Sequence, residues 1–214
     1  MNAPLLEDLL KFALTMFSIL NPLGAIPIFL SLTQDRTHKE VKRITSISAI
    51  SVLITLLCGF FIGKTLLEVF GISIASFRVG GGILLGIMAA DMLAAKPMHS
   101  KMNPQEAEQL RKDDPIGVVP LAIPLLAGPG SISTSILYSS MFTGWIRCIG
   151  VVFVLLLIVI ATKYILLFSE RIGKRMGPLG LNVMTRIMGL ITMALAVEFV
   201  AIGLKELFPF LNQI

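Results

Sequence analysis

The chain has 214 residues, of which 55% are hydrophobic and only 14% are charged, and its mean hydropathy is +0.87. Because a soluble domain carries about 25% charged residues, this composition excludes an ordinary soluble protein and indicates an integral membrane protein. The formal net charge is +5. In a membrane protein such an excess reports orientation, and no basic patch interleaved with aromatic residues indicates nucleic-acid binding.

Six apolar runs are long enough to cross a bilayer, since a helix needs about 20 residues to span about 30 Å of hydrocarbon. They cover residues 5–32, 44–62, 72–94, 116–141, 145–168 and 184–208. The N-terminus lacks the positive start and the cleavage site of a signal peptide, so we expect the first span to remain in the mature protein. The sequence therefore predicts an all-α polytopic membrane protein with a single transmembrane domain.

The basic residues between the spans predict the orientation. Three alternate loops carry 11 lysines and arginines, namely Arg36, Lys39, Lys42, Arg43, Lys96, Lys101, Arg111, Lys112, Arg171, Lys174 and Arg175. The opposite side carries only 4, namely Lys11, Lys64, Arg147 and Lys205. By the positive-inside rule the three loops face the cytoplasm, and both termini lie on the outer, periplasmic side of the inner membrane.

The second half of the chain repeats features of the first half at a nearly constant offset. Asn21-Pro22 corresponds to Gly128-Pro129, and SFRVGGG at 76–82 corresponds to MTRIMGL at 184–190. Asp91 corresponds to Glu198. Because each half, 1–94 and 116–214, holds three spans, the halves enter the membrane from opposite sides. The pattern predicts two inverted repeats joined by a cytoplasmic loop at 95–115, an architecture typical of secondary transporters.

The first and fourth spans are broken at corresponding positions, which is the best sequence indicator of a midplane site. In the first, Asn21 is expected to cap a half-helix that starts at Pro22, within a segment that also holds Gly24 and Pro27. A kink without a ligand is the structural alternative.

In the fourth span, Pro120 and Pro124 precede Gly128, which is expected to cap a half-helix with Pro129 at its first position. The N–H groups of Gly130, Ser131 and Ile132 would then face the gap and suit a carboxylate. The hydroxyls that follow have two interpretations, ligand binding or hydrogen bonding to their own helix and its neighbours. They belong to Ser131, Ser133, Thr134 and Ser135.

Four charged residues fall inside or at the ends of spans. Arg78 and Arg186, near the starts of the third and sixth spans, either snorkel to the interface or share a structural role such as pairing with an acid. Asp91 is expected at the cytoplasmic interface. Glu198 lies deeper, where coupling to an ion and structural pairing are both open. The glycines at 80–82, Gly86 and Gly189 predict close helix contacts.

No pattern indicates catalysis, a metal site or a cofactor. Cys58 and Cys148 lie in separate apolar runs, and His38 and His99 are isolated in polar stretches. There is no Ser/His/Asp set, no pair of catalytic carboxylates and no phosphate-binding lysine loop. We therefore expect no enzyme.

Four segments together resemble the MarC family of inner-membrane proteins, also termed UPF0056. They are NPLGAIPIF at 21–29, FGISIASFRVGGGIL at 70–84, IGVVPLAIPLLAGPGSIS at 116–133 and TRIMGLITMALAVEFVAIG at 185–203. The family is similar in topology to LysE-type exporters, and some members are described as transporters of small neutral amino acids. The resemblance implies that the two broken segments line a central site. It also implies that Arg78 and Arg186 match the arginines with which the family's corresponding spans begin.

The sequence leaves three functions open. The first is a secondary transporter of a small solute such as glycine or alanine, with H⁺ or Na⁺ as the coupling ion because no ATP-binding domain is present. The second is a passive channel or efflux pore for small metabolites. The third is a membrane scaffold or sensor that transports nothing.

Overall fold

The computed structural model describes residues 3–33, 36–94, 127–142 and 144–210. Within these ranges the chain is all-helical. The helices are α1 (Ala3–Leu20), α2 (Ile26–Thr33), α3 (His38–Val69), α4 (Ile74–Leu93), α5 (Pro129–Met141), α6 (Trp145–Leu167) and α7 (Ser169–Leu207). The loop at 95–115 and the start of the fourth span, with Pro120 and Pro124, lie outside the described residues.

Four of these helices, α3, α4, α6 and α7, are long and apolar enough to cross a membrane. The predicted third and fifth spans agree with α4 and α6 to within two residues at each end, and the predicted second span lies inside the longer α3. Large apolar side chains such as Ile54, Phe61, Ile87 and Phe153 lie exposed on them. Exposing such an apolar surface to water costs free energy, whereas lipid accommodates it. These helices are therefore those of an integral multi-pass membrane protein.

Two segments expected as basic loops are helical instead. α3 begins at His38, well before the apolar run, because Thr37 and Glu40 form a capping box. The Thr37 backbone N–H donates to Glu40 at 2.7 Å, and Glu40 N–H donates to the Thr37 hydroxyl at 3.4 Å. Hydrogen bonds from the Thr37 side chain and backbone hold the pKa of Glu40 below its ordinary value.

The segment between the fifth and sixth spans is also helical, since only Phe168 separates α6 from α7. An ion pair of 2.6 Å between Lys174 and Glu170, one turn apart, supports this polar stretch. α7 then kinks at Gly177, whose φ of 63° and ψ of 174° interrupt the helix just before Pro178. The apolar part of α7 therefore begins after the kink, and the predicted sixth span lies within it.

α4 and α7 pack closely and run antiparallel. Gly82 of α4 lies against Ala196 and Val200, whereas Gly203 of α7 lies against Ala75 and Val79. Because residue numbers increase along α4 while the numbers of the contacting residues decrease along α7, the two helices run in opposite directions. The missing side chains at these glycines let the backbones approach, which confirms the predicted small-residue contact face. Gly86 and Gly189 join this contact, whereas Gly80 faces open space.

The main core lies between α1, α3 and α6. Phe12, Leu56 and Leu155 are completely buried there. α5 occupies a slot between α3 and α4, where the Ser135 hydroxyl donates to the Leu56 carbonyl at 2.7 Å. This arrangement places the start of α5 inside the helix bundle.

Candidate functional site at two helix breaks

The first break lies between α1 and α2, at Asn21. The Asn21 N–H completes α1 by donating to the Phe17 carbonyl at 3.0 Å, and its backbone then turns to a φ of 42°. Its side-chain Oδ1 accepts a hydrogen bond from Gly24 N–H at 3.1 Å. The predicted cap hydrogen bond is therefore made. However, α2 begins at Ile26 rather than at Pro22, because the left-handed Asn21 diverts the chain into a turn.

Pro22 leaves one carbonyl of α1 without its helical partner. In an uninterrupted helix the N–H of residue 22 would donate to the Ser18 carbonyl, but proline has no N–H. The hydroxyl of Thr192, from the middle of α7, lies 3.5 Å from that carbonyl oxygen while donating to Met188 at 2.8 Å. Thr192 is fully buried. The first break thus lies beside the centre of the longest helix.

The second break matches the prediction for the start of α5. Gly128 is the N-cap, with φ −68° and ψ 172°, and Pro129 is the first helical residue. Two of the three amides expected to be open are not, because Ser131 and Ile132 N–H both donate to the Gly128 carbonyl, at 3.1 and 3.2 Å. Among the described residues, only the Gly130 amide of these three has no hydrogen-bond partner.

The two breaks lie against each other. A Cβ added at Gly130 would meet Leu85 Cδ2 at 2.7 Å, Met88 Sδ at 3.0 Å and Ile19 Cγ2 at 3.5 Å. Ile19 precedes the first break by two residues, and Leu85 lies halfway along α4. The C-terminal end of α1 and the N-terminal end of α5 therefore meet in the interior of the bundle.

The hydroxyls of α5 divide into two groups. Ser131, Thr134 and Ser135 donate to the carbonyls of Gly128 at 2.9 Å, Gly130 at 2.8 Å and Leu56 at 2.7 Å respectively. Ser133 is different. It is only 7% exposed, faces Gly81 of α4, and its hydroxyl has no hydrogen-bond partner in the part of the chain that is described.

The predicted charged residues are not gathered at the breaks. Arg78 lies near the start of α4, where its Nη1 is 2.7 Å from Glu206 Oε1 at the end of α7. The Arg78 side chain is 10% exposed and the Glu206 side chain 43% exposed. Arg78 therefore joins the ends of two antiparallel helices, which fits the structural role weighed for it.

The other three charged positions lie at the periphery. Arg186 and Glu198 are exposed on α7, and Asp91 is half-buried near the end of α4. None of the three makes an ion pair within the described ranges. The sequence repeat between Arg78 and Arg186 is thus not matched by their surroundings.

The sequence matches the model of the MarC family integral membrane proteins over residues 6–208. The chain belongs to the MarC family. The resemblance that the four segments indicated is therefore confirmed over nearly the whole chain.

Curated relatives agree with this assignment to MarC. The chain is 38% identical to the UPF0056 membrane protein YhcE of Escherichia coli (strain K12), with 93% of each chain covered. It is 34% identical to the UPF0056 membrane protein YvbG of Bacillus subtilis (strain 168), with 94% and 95% covered. A UPF0056 membrane protein of Methanocaldococcus jannaschii is 37% identical over 89% of this chain. No solved structure matches the chain.

Two contact residues of this MarC protein are not among those that the sequence singled out, namely Glu206 beside Arg78 and Thr192 beside the first break. The predicted repeat offers a signal for Glu206, since antiparallel third and sixth spans bring the end of one beside the start of the other. Thr192 is one hydroxyl in an apolar run. Its role depends on the missing N–H of Pro22, 170 residues away, and no local pattern reveals that contact.

Asn21 offers a direct test of the first break. Replacement by glycine removes the hydrogen bond to Gly24 but retains access to a positive φ, whereas replacement by leucine removes both. We expect Asn21→Leu to unfold more readily than Asn21→Gly by about 1–2 kcal/mol, the cost of a left-handed backbone for a side chain with Cβ. Thermal unfolding in detergent measures this order, and equal stability of the two variants would contradict the assigned conformation.

Proposed function

We propose that this chain is a secondary transporter of small solutes, with small neutral amino acids such as glycine and alanine as the favoured substrates. The observation that carries the proposal is the meeting of the two helix breaks, where Ile19 of α1 lies against Gly130 of α5 inside the bundle. Broken helices that face each other near the centre of a membrane protein are the usual site of substrate binding in secondary transporters.

The two helix ends have opposite polarity. The N-terminal end of α5 carries partial positive charge and the Gly130 amide, which no described residue accepts from, whereas the C-terminal end of α1 carries partial negative charge and the Ser18 carbonyl. A zwitterion matches this pair, with its carboxylate on α5 and its ammonium group toward α1. Leu85 and Met88 pack directly against Gly130, so the surroundings of this helix end are apolar. The two helix ends favour a substrate that carries a carboxylate and an amine.

The antiparallel packing of α4 and α7 supports the inverted repeat as part of the proposal. Gly82, in the first half of α4, contacts α7, and Gly189 of α7 contacts Ala89 and Met92 near the end of α4. Each helix thus contributes a glycine to the contact with the other. In this proposal α1 and α2 together form the first span, and α5 forms the described part of the fourth. Six spans then place both termini outside the inner membrane, and rocking of one repeat against the other gives alternating access.

Uptake by purified protein in proteoliposomes tests the proposal. Labelled alanine and glycine are offered with and without imposed pH and sodium gradients. A coupled carrier concentrates the substrate only when a gradient is present, whereas a passive channel merely equilibrates it. A scaffold or sensor gives no flux at all, and either of these results would contradict the transporter.

Ser133 provides the site variant for this assay. Because its hydroxyl has no partner among the described residues, Ser133→Ala should leave stability within about 0.5 kcal/mol. If the hydroxyl contacts the substrate, we expect KM to rise about 5- to 10-fold, the value of one hydrogen bond.

Ser139→Ala is the matched control for Ser133→Ala. Its hydroxyl lies on the same helix but donates to the Ile136 carbonyl at 2.7 Å, so its loss should leave KM unchanged. Equal KM values for both variants would remove Ser133 from the site. Gly130→Leu is unsuitable for this purpose, because added atoms would collide with Leu85 and Met88 and the variant would lose folding together with binding.

A further inference from the structure

A cavity lies away from the helix breaks, at the end of the bundle that the basic residues predict to be cytoplasmic. It has a volume of about 430 Å³ and lies between the end of α2, the start of α3 and the junction of α6 with α7. Its polar lining comes from Thr33, Arg36, His38, Ser169 and Glu170. Leu30 of α2 closes one side by packing against Gly173.

Two acids near this cavity, among the described residues, already have partners. Glu170 is paired with Lys174 at 2.6 Å. Glu40, which is 4.0 Å from Arg36, accepts hydrogen bonds of 2.7 Å from both the backbone and the hydroxyl of Thr37. Since 4.0 Å is too long for a hydrogen bond, the guanidinium group of Arg36 donates no hydrogen bond to any described residue.

A hydroxyl that lines the cavity makes no hydrogen bond among the described residues. Ser169 is 2% exposed as a residue, but its oxygen is not one of the fully buried oxygens without a partner in the described part of the chain, which belong to Ser48 and Thr162. The Ser169 hydroxyl is therefore available to a ligand or to water in the cavity.

The remaining lining is apolar. Leu30, Val41 and Leu167 form it, and the last two come from α3 and α6, which are long and apolar enough to cross a membrane. A cavity with a guanidinium, an imidazole and a free hydroxyl at its polar end, and aliphatic side chains at the other, suits a phosphate group attached to a hydrocarbon chain. Basic pockets between helices at the cytoplasmic side of a membrane protein are typical sites for anionic headgroups.

We propose that this cavity binds a phosphate group, supplied by an anionic lipid of the cytoplasmic leaflet. Arg36 donates to the phosphate oxygens, and Ser169 donates a further hydrogen bond from the start of α7. Leu30, Val41 and Leu167 contact the glycerol and the first carbons of the chains. This site is independent of the proposed transport, since it shares no residue with the two helix breaks.

Native mass spectrometry of the delipidated full-length protein tests the site. Phosphatidylglycerol is titrated against phosphatidylcholine with the same acyl chains. We expect one phosphatidylglycerol to bind at least about 10-fold more tightly than phosphatidylcholine, and Arg36→Gln to reduce that affinity about 10-fold, as the loss of a charge-assisted hydrogen bond requires. Ser169→Ala should reduce it about 3-fold.

Lys39→Gln is the matched control. Lys39 is exposed on α3, next to His38, but does not line the cavity. At physiological ionic strength we expect its replacement to change phosphatidylglycerol affinity less than about 2-fold, because exposed charges are screened by salt. Equal losses in Arg36→Gln and Lys39→Gln would show only a diffuse basic surface and would overturn the proposal.

A second measurement separates the lipid from free phosphate. Thermal unfolding is followed with inorganic phosphate alone and with phosphatidylglycerol micelles. Stabilisation of the parent protein by the lipid, lost in Arg36→Gln, supports the lipid site. Equal stabilisation by inorganic phosphate would assign the site to the free anion and overturn the lipid source. If Arg36→Gln fails to fold without ligand, Ser169→Ala carries the test, and unchanged binding by that variant overturns the site.

Discussion

Gly82→Ala is expected to destabilise the protein by about 1–3 kcal/mol, although alanine is the better helix former. A Cβ at this position would lie 2.9 Å from the Ala196 carbonyl oxygen and 3.0 Å from the Val200 amide nitrogen. Because these are backbone atoms, they move only if α4 and α7 separate along their whole contact. Thermal unfolding in detergent measures the loss, and Gly82→Leu should abolish folding.

Gly80→Ala is the control for Gly82→Ala, two residues away on the same helix. No atom lies within 4 Å of a Cβ placed there. Only the helix preference then acts, so this variant should be as stable as the parent or more stable by up to about 1 kcal/mol. If both variants unfold at the same temperature, the close approach of α4 and α7 is wrong.

Removal of Glu206 is expected to cost more than removal of the Arg78 charge. Glu206→Ala leaves the guanidinium of Arg78, with its side chain 10% exposed, without its acid. Arg78→Met keeps most of the packing and leaves only Glu206, which at 43% exposure can recruit water. Since the pair is open on the Glu206 side, we expect a loss of about 1–2 kcal/mol for Glu206→Ala, below that of a fully buried pair.

A double variant completes this comparison. Arg78→Met combined with Glu206→Ala has no unpaired charge, so it should be more stable than Glu206→Ala alone. Additive losses in the double variant would mean that the two residues do not interact. Thermal unfolding in the same detergent and at the same pH provides all four values of the cycle.

The positions of the helix breaks follow directly from the residues there. Proline lacks an N–H, and Gly128 before Pro129 is a helix start by local chemistry alone. The prediction for α5 was accordingly correct to the residue. At the first break the predicted helix start was wrong by four residues. The residue type of Asn21 fits an N-cap, but Asn21 takes a positive φ, and which of the two conformations it adopts depends on how α2 packs.

Internal similarity predicted pairs of positions but not their surroundings. Arg78 and Arg186 occupy equivalent places in the sequence, yet Arg78 is buried beside Glu206 and Arg186 is exposed. The acid lies at the end of α7, and no described residue plays the same part for Arg186. Equivalent residues therefore meet different neighbours, since burial depends on what the other helices bring to each position.

By itself the sequence determined the membrane class, the main apolar spans, the helix breaks and the family, because hydropathy, proline, glycine and motif letters are local properties. Only the tertiary structure decided that the two breaks meet at Ile19 and Gly130 and that Thr192 lies beside the carbonyl freed by Pro22. It alone also showed that Ser133 and Ser169 lie in the interior with no side-chain hydrogen bond to any described residue. These facts depend on contacts between residues far apart in the chain, which the packing of whole helices sets and local patterns do not encode.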